Sequence, residues 1–429
     1  MTKKKIYRSW GNYPALDQNG YPFNKRYLNS SFLPYGKGRS YGDSCLNSSG
    51  NVLDSSDNTS IISFDSSKGI IEVGSGATFQ MVSSYIIPYS FFLPVTPGTQ
   101  FATIGGGVAN DVHGKNHHKV GSFGNHIISF KLIRHGELIE CSRVKNSDIF
   151  YATIGGLGLT GYITTIKFNL KKIVNAFMDV ENIKFSSLEE FFKLSRESSI
   201  DYEYLVSWID CTSSSKNTCK GIFSRGNHSS DLKLSLAKKN KIKFNYPFKQ
   251  KLSLVNKITV KPFNYLYYNK QLKKCAKKVE YYENFFYPLD SISNWNHIYG
   301  SRGFLQHQSL VPKKNATKIL SLMLELIKDS KQGSFLVVLK VMGDTKSEGL
   351  LSFPSEGVTL AIDFAFRGQS TINLVKKLND IAVNANGKVY PAKDACMSSK
   401  NFKSSYPKWS VLKEFKDRNI DSDFWKRVS

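Results

Sequence analysis

The chain has 429 residues, 41% apolar and 13% aromatic, enough to build a large core in two or three domains. Its 59 basic and 34 acidic residues leave a formal charge of +25, which calls for an anionic partner: nucleic acid, an anionic membrane surface or a phosphorylated substrate. Six scattered cysteines without a Cys-x-x-Cys pair read as reduced and intracellular, and the longest strongly apolar run, Phe335 to Leu339, is far too short for a membrane span.

The basic start, Met1 to Arg8, is followed by no apolar run of signal-peptide length, so a soluble or peripheral protein is expected. Gly36 to Ser44 is a first glycine loop, with Arg39 and Ser40 able to meet an anion. It lacks the order of a Walker loop, and no helix follows it as a doubly wound dinucleotide fold requires. Ile61 to Phe64 and Gly69 to Val73 read as strands, and Ala77 to Ile87 as a helix with Phe79, Val82, Ile86 and Ile87 near one face. Pro97 to His126 carries seven glycines and four histidines among small residues and amides. This composition favours neither helix nor strand and predicts a folded loop around a phosphate-bearing ligand. Phe130 to Ile133 and Leu138 to Cys141 form a hairpin about Gly136. Gly155 to Gly161, a third glycine cluster, runs into the period-two strand Tyr162 to Asn169.

After Leu170 the glycine loops stop, which places a domain boundary near residue 175. Asp201 to Ile209 reads as a strand with Trp208 inside. Leu232 to Val279 contains no acidic residue while lysines recur. That stretch fits a nucleic-acid surface, a solvated segment or a skirt resting on an anionic membrane; the last is preferred, because no nucleic-acid module accompanies the charge. Gln306 and Gln308 share one side of a strand. Asn315 is placed as the cap of a helix with Ala316, Ile319, Leu320, Met323, Leu324 and Ile327 on its apolar face. Phe335 to Met342 and Val358 to Phe366 are strands, and Leu374 to Ala385 is a helix ended by Gly387.

Gly38-Arg39-Ser40-Tyr41-Gly42-Asp43, Pro97 to His126, Gly155 to Gly161, Phe304 to Gln308 and Tyr390-Pro391-Ala392-Lys393-Asp394 together resemble the vanillyl-alcohol-oxidase family with its PCMH-type FAD-binding domain. Within it they are similar to the members that oxidise a lipid-linked ribose. The resemblance spans most of the chain, and its most specific part is His113 to His118. It implies an α+β fold of two domains: an FAD-binding domain at 1–174, an antiparallel-sheet substrate domain at 175–387, and a C-terminal segment, 388–429, returning to the first. It implies that Gly38, Arg39, Ser40, Tyr41 and Gly42 cradle the FAD pyrophosphate. Pro97, Gly98, Thr99, Gly105, Gly106, Ala109, Val112, His113 and Gly114 would line the cofactor. Gly161 and Ile163 would meet its adenine side, and Tyr390, Ala392 and Lys393 its flavin. Lys115, Trp208, Gln306, Gln308 and Lys340 would bound the substrate, with Tyr41 and His113. Arg39 stands where covalent members of the family carry a histidine, which implies non-covalent FAD. Ala361 stands where the ribose oxidases often carry a cysteine.

The activity so implied is oxidation of the 2′-hydroxyl of a polyprenyl-phosphoryl ribose to the 2′-keto sugar, the first half of epimerisation to the arabinose donor. A separate keto-sugar reductase and a quinone or oxygen as electron acceptor follow. Lys393 would stabilise charge on the reduced flavin. The hydroxyl proton needs a base, for which His113, Tyr41 and Lys393 are candidates. No metal is expected: Gly114 and Gly121 make the histidine cluster a loop, and no carboxylate stands at ligand spacing. Two alternatives are a flavin oxidase of another sugar, alditol or aldonolactone, and a non-enzymatic binder of anionic polymers. The expected location is cytoplasmic, peripheral at the inner membrane, with the lysine-rich stretch Lys233 to Lys278 attracting anionic lipid without insertion.

Overall fold

The computed structural model describes residues 6–16, 18–23, 31–213, 219–232, 244–246 and 250–429. A five-stranded sheet carries Ile61–Asp65, Ile70–Gly74, Tyr162–Asn169, Ile127–Arg134 and Glu137–Ser142 side by side in that order. Every neighbouring pair is antiparallel. The hairpin turns where His135 (φ 49°) and Gly136 (φ 86°) both take left-handed backbone, the conformation that matches strand twist in a two-residue turn. Ile71, Val73, Ile166 and Phe168 are fully buried beneath the helix Phe79–Ile86. Thr78 caps that helix by accepting from the Met81 N–H. Beside this sheet lies a three-stranded parallel one, ordered Asn19–Pro22, Asn51–Asp54, Phe32–Tyr35.

The larger sheet has eight strands in the order Cys275–Tyr281, Phe177–Phe185, Gly221–His228, Tyr204–Ile209, Val337–Met342, Gly357–Ala365, Phe304–Val311 and Lys388–Val389. All its pairings are antiparallel. Helices Ala316–Ser330 and Gln369–Asn384 cover one face of it, where Leu305, Leu339, Leu360 and Ile362 pack against Leu320, Met323, Leu324, Leu374 and Leu378. The opposite face looks into a cavity. The last strand leads the tail back to the N-terminal elements: Ile420 bridges to Phe32, and Asp423 accepts from the Ser48 N–H at 3.0 Å. Arg427 binds Asp43 through two nitrogens at 2.8 Å and Asp394 at 2.8 Å. Residues on both sides of position 175 share one core, with Phe92 against Tyr282 and Phe286 at centroid distances of 5.2 Å.

Several local expectations are corrected. Gly105, Gly106 and Gly107 lie in a short helix, Ile104–Ala109, rather than a loop. Tertiary packing overrides their poor propensity, because a Cβ on Gly105 would come within 2.9 Å of Ser75 Cβ and one on Gly107 within 2.8 Å of the Phe79 ring. His117–Val120 is likewise a helical turn. The helix placed at Leu374 begins at Gln369, and Asn386 (φ 60°), not Gly387, takes the left-handed position after it. Asn315 stands at the N-cap but makes no capping bond. Trp208 is half-buried on the cavity side instead of in the core. Of the lysine-rich stretch, 233–243 and 247–249 lie outside the described residues; beyond them it forms the helix Lys257–Asn269 and the strand Cys275–Tyr281.

Candidate active site

One cavity of about 970 Å³ is walled by four separate chain segments and the inner face of the large sheet. Gly36 to Tyr41 form one wall, and Pro97 to Lys115 contribute another through Gly98, Thr99, Gly105, Gly106, Ala109, Val112, His113 and Gly114. Gly161 and Ile163 open the strand that passes alongside, and Tyr390, Ala392 and Lys393 close the ring from the tail. The sheet adds Trp208, Gln306, Gln308, Lys340 and Ala361. Strand alternation explains the pair of glutamines: His307 between them turns away and bonds Asn379 Oδ1 at 2.8 Å and Ser309 Oγ at 2.9 Å. Gly42 departs from the expected cofactor wall. It sits behind the cavity, and a Cβ there would strike the Asp394 carbonyl oxygen at 1.8 Å, so its bareness serves backbone packing.

The cavity fits an extended anionic cofactor. Among the described residues, the backbone N–H groups of Lys37, Gly38, Arg39 and Ser40 have no hydrogen-bond acceptor in the protein, and Gly38 (φ 60°) turns the loop. Consecutive free N–H groups of this kind make an anion-binding concavity. A Cβ on Gly98 or Gly158 would meet nothing within 4 Å, so both glycines leave room in the cavity itself. The Arg39 guanidinium lies 4.0 Å from the centroid of the Trp10 ring, and its Nε is buried without a partner among the described residues.

The reactive groups gather at the sheet. Lys393 Nζ lies 3.6 Å from the centroid of the Tyr41 ring. Burial lowers its ammonium from the ordinary lysine value, and the facing carboxylate of Asp363 opposes that shift. Asp363 is fully buried, accepts from Gln306 Nε2 and lies 3.5 Å from the Tyr299 hydroxyl that donates to it. Burial raises its carboxyl above the usual range, while Lys393 pulls the other way. Burial also raises the Tyr41 phenol well above 10, so it stays protonated at neutral pH. His113 is held well below its ordinary value by burial first, then by the positive charges of Lys340 and its neighbours. Its Nε2 lies 3.1 Å from Gln308 Nε2, and its Nδ1 is buried with no partner among the described residues. Lys340 Nζ donates to the Gly114 carbonyl at 2.7 Å and Lys115 Nζ to the Phe286 carbonyl at 2.8 Å. Burial lowers both ammonium groups to about 7. Further out, Val180, Val206, Ile222 and Val338 give the cavity an apolar chamber, with the Trp208 and Tyr267 rings tilted against each other at a centroid distance of 4.7 Å.

Sequence reasoning missed Asp363 and Asp290. The first lies opposite Gln306 across the strand pair, and the second accepts from Thr99 Oγ1 at 2.9 Å and the Gln100 N–H at 2.8 Å. The signal for Asp363 was a lone carboxylate inside a mostly apolar strand, Gly357–Ala365.

This combination of glycine-walled anion cradle, cationic floor and neutral acceptor defines an FAD-dependent oxidoreductase, and the FAD binding domain family matches residues 26–142. Over 401 residues the chain is 33% identical to decaprenylphosphoryl-beta-D-ribose oxidase of Mycolicibacterium smegmatis, covering 90% of this chain and 85% of that protein. It is also 27% identical over 151 residues to an uncharacterised protein of the mprA 5′ region in Streptomyces coelicolor, 35% of this chain and 41% of that one. A 111-residue stretch is 26% identical to human delta(24)-sterol reductase, 26% of this chain and 22% of the reductase. The chain belongs to the family of decaprenylphosphoryl-β-D-ribose oxidases.

Proposed function

We propose that the protein oxidises the ribose 2′-hydroxyl of a polyprenyl-phosphoryl-β-D-ribose to the 2′-keto sugar, the first half of an epimerisation to the arabinose donor. One observation carries the reading: a single cavity joins the glycine loops, Lys393 and His113 to Lys115, Lys340 and an apolar chamber. Cofactor, sugar phosphate and lipid each find their chemistry there. The mycobacterial relative's name supports the same substrate.

When bound, FAD supplies the hydride acceptor. The loop 37–40 and the walls at Gly98, Gly106 and Gly158 would hold it, without a covalent bond, because Arg39 replaces the histidine of covalent relatives. The remaining work belongs to the chain. His113, neutral at pH 7, takes the hydroxyl proton as the C–H pair leaves as hydride and the C=O bond forms. Tyr41, a phenol whose proton is firmly held, acts as a hydrogen-bond donor rather than a base. Lys393 places a cation where the transferred electron pair arrives. Gln306 and Gln308 orient sugar hydroxyls, and Lys115 and Lys340 gain protons against the substrate phosphate. A quinone or oxygen then takes the electrons, and a separate reductase reduces the keto sugar.

The architecture is read as a vanillyl-alcohol-oxidase-type pair: an FAD-binding unit of 1–174 with 388–429, and a substrate unit of 175–387. The contacts of the tail with Phe32, Asp43 and Ser48 support it. No helix among the described residues is long and apolar enough to cross a membrane, and we place the enzyme peripherally on the inner membrane. Anaerobic titration tests the activity. A polyprenyl-phosphoryl ribose bleaches the visible flavin band and free ribose does not; bleaching by free sugars or lactones alone reassigns the substrate.

A further inference from the structure

The molecule's exposed apolar side chains are concentrated in one place. Among the described residues, ten of the 23 exposed large hydrophobic side chains fall within 244–279. The helix Lys257–Asn269 buries only Val260 and Asn264. Ile258 is 84% exposed, Leu266 66%, and Tyr265, Phe263 and Tyr267 stand out beside them. Leu252 and Leu272, in the segments leading into and out of the helix, are 82% and 93% exposed. Val260 and Asn264 anchor the helix to the protein, and the aliphatic and aromatic side chains it turns outward are left without a core to cover them.

The charge around this patch has one sign. No acidic residue occurs from Leu232 to Val279, and Lys251, Lys257, Lys261, Lys270 and Lys273 are exposed between the apolar side chains. Lys274, Lys277 and Lys278 are occupied by Glu190, Glu181 and Glu280. The patch is also continuous with the cavity, because Tyr267, Lys270, Gln271 and Lys278 belong to both. Aliphatic and tyrosine side chains interleaved with lysines suit the boundary between anionic headgroups and acyl chains.

We infer that the helix Lys257–Asn269 and its flanks are a bilayer-docking face that inserts apolar side chains into an anionic lipid surface and opens the cavity toward the acyl region. This goes beyond the expectation of attraction by charge without insertion, and it rests on the proposed lipid-linked substrate. A hydrophobic substrate would then reach the sheet without crossing water.

The test uses the full FAD-loaded chain and vesicles of phosphatidylglycerol and phosphatidylcholine. The wild type partitions onto them, and high salt reduces the partition without abolishing it. Ile258→Ser with Leu266→Ser lowers it about a hundredfold, about tenfold for each apolar side chain withdrawn from lipid. The Leu266→Trp chain gains fluorescence quenching by brominated lipid over the parent. Flavin reduction by a short-chain, detergent-dispersed polyprenyl-phosphoryl ribose is unchanged in the double variant. Complete release by salt, an unaltered partition of the double variant, absent quenching, or self-association without lipid that the double variant abolishes would each overturn the inference. A wild type that binds vesicles but is not bleached by the short-chain substrate refutes the proposed activity and leaves the docking face standing.

Discussion

Replacing Lys393 by methionine keeps the aliphatic stem and removes the charge. The ammonium lies 3.6 Å from the centroid of the Tyr41 ring, in a cavity shared with the glycine loops. Two unit charges about 4 Å apart interact by about 4 kcal/mol at an effective dielectric of ~20. Asp363 already neutralises part of that field, so about 3 kcal/mol of transition-state stabilisation is lost and flavin reduction slows about a hundredfold. FAD content, read from absorbance after gel filtration, stays near one per chain. The pH profile supplies a second readout. Burial lowers the Lys393 pKa, so the reactive cation is lost as pH rises through a value below the ordinary ~10.4 of lysine. The wild-type reduction rate falls over that alkaline range, while the methionine variant is slow and flat across it. Anaerobic stopped-flow mixing with lipid-linked ribose measures both. Near-wild-type reduction with the alkaline limb preserved would show that the charge is not used and that the site is misplaced.

His113→Gln keeps a hydrogen-bonding side chain but no useful base; reduction falls by two to four orders of magnitude, roughly the range of general base catalysis, with FAD retained on the column. Because burial lowers Lys115 and Lys340 to about 7, the cations proposed to meet the substrate phosphate are lost as pH rises through 7, so KM is expected to increase there; Lys340→Met with Lys115→Met raises KM at all pH values and flattens that rise, as steady-state titration reports. Gly98→Val directs a side chain into open cavity space, so the purified chain loses flavin while its circular dichroism spectrum is unchanged. Acid precipitation leaves the flavin in the supernatant, because Arg39 stands at the position of the linking histidine, and flavin fluorescence on the washed pellet would refute non-covalent binding. Arg427→Met strands the buried carboxylates of Asp43 and Asp394, costing about 3–5 kcal/mol, which thermal denaturation reads as a large drop in Tm.

The periodicity of Tyr162–Asn169, the hairpin at Gly136 and the apolar face of Ala316–Ser330 were legible in the sequence because each obeys a local rule. The glycine clusters and the His113 to His118 stretch likewise marked out most of the residues that wall the cavity. Local rules failed where distant chain decided. Gly105 and Gly107 stand inside a helix because Ser75 and Phe79 leave no room for a side chain there, and Gly42 is bare because Asp394 presses on it from 352 residues away. The helix Lys257–Asn269 escaped notice because periodicity reveals a buried face, and this helix buries almost none. The sequence by itself determined the secondary-structure periods, the excess of positive charge and the composition of an anion-binding loop, since these depend on neighbours along the chain. Only the tertiary structure decided that Asp363 lies close enough to Lys393 to oppose its shift, that burial keeps Tyr41 protonated and His113 neutral, and that apolar side chains of Lys257–Asn269 point outward at the cavity's edge. Those are consequences of burial and of contacts between segments hundreds of residues apart, and no local pattern encodes the dielectric or the neighbours that a side chain will meet.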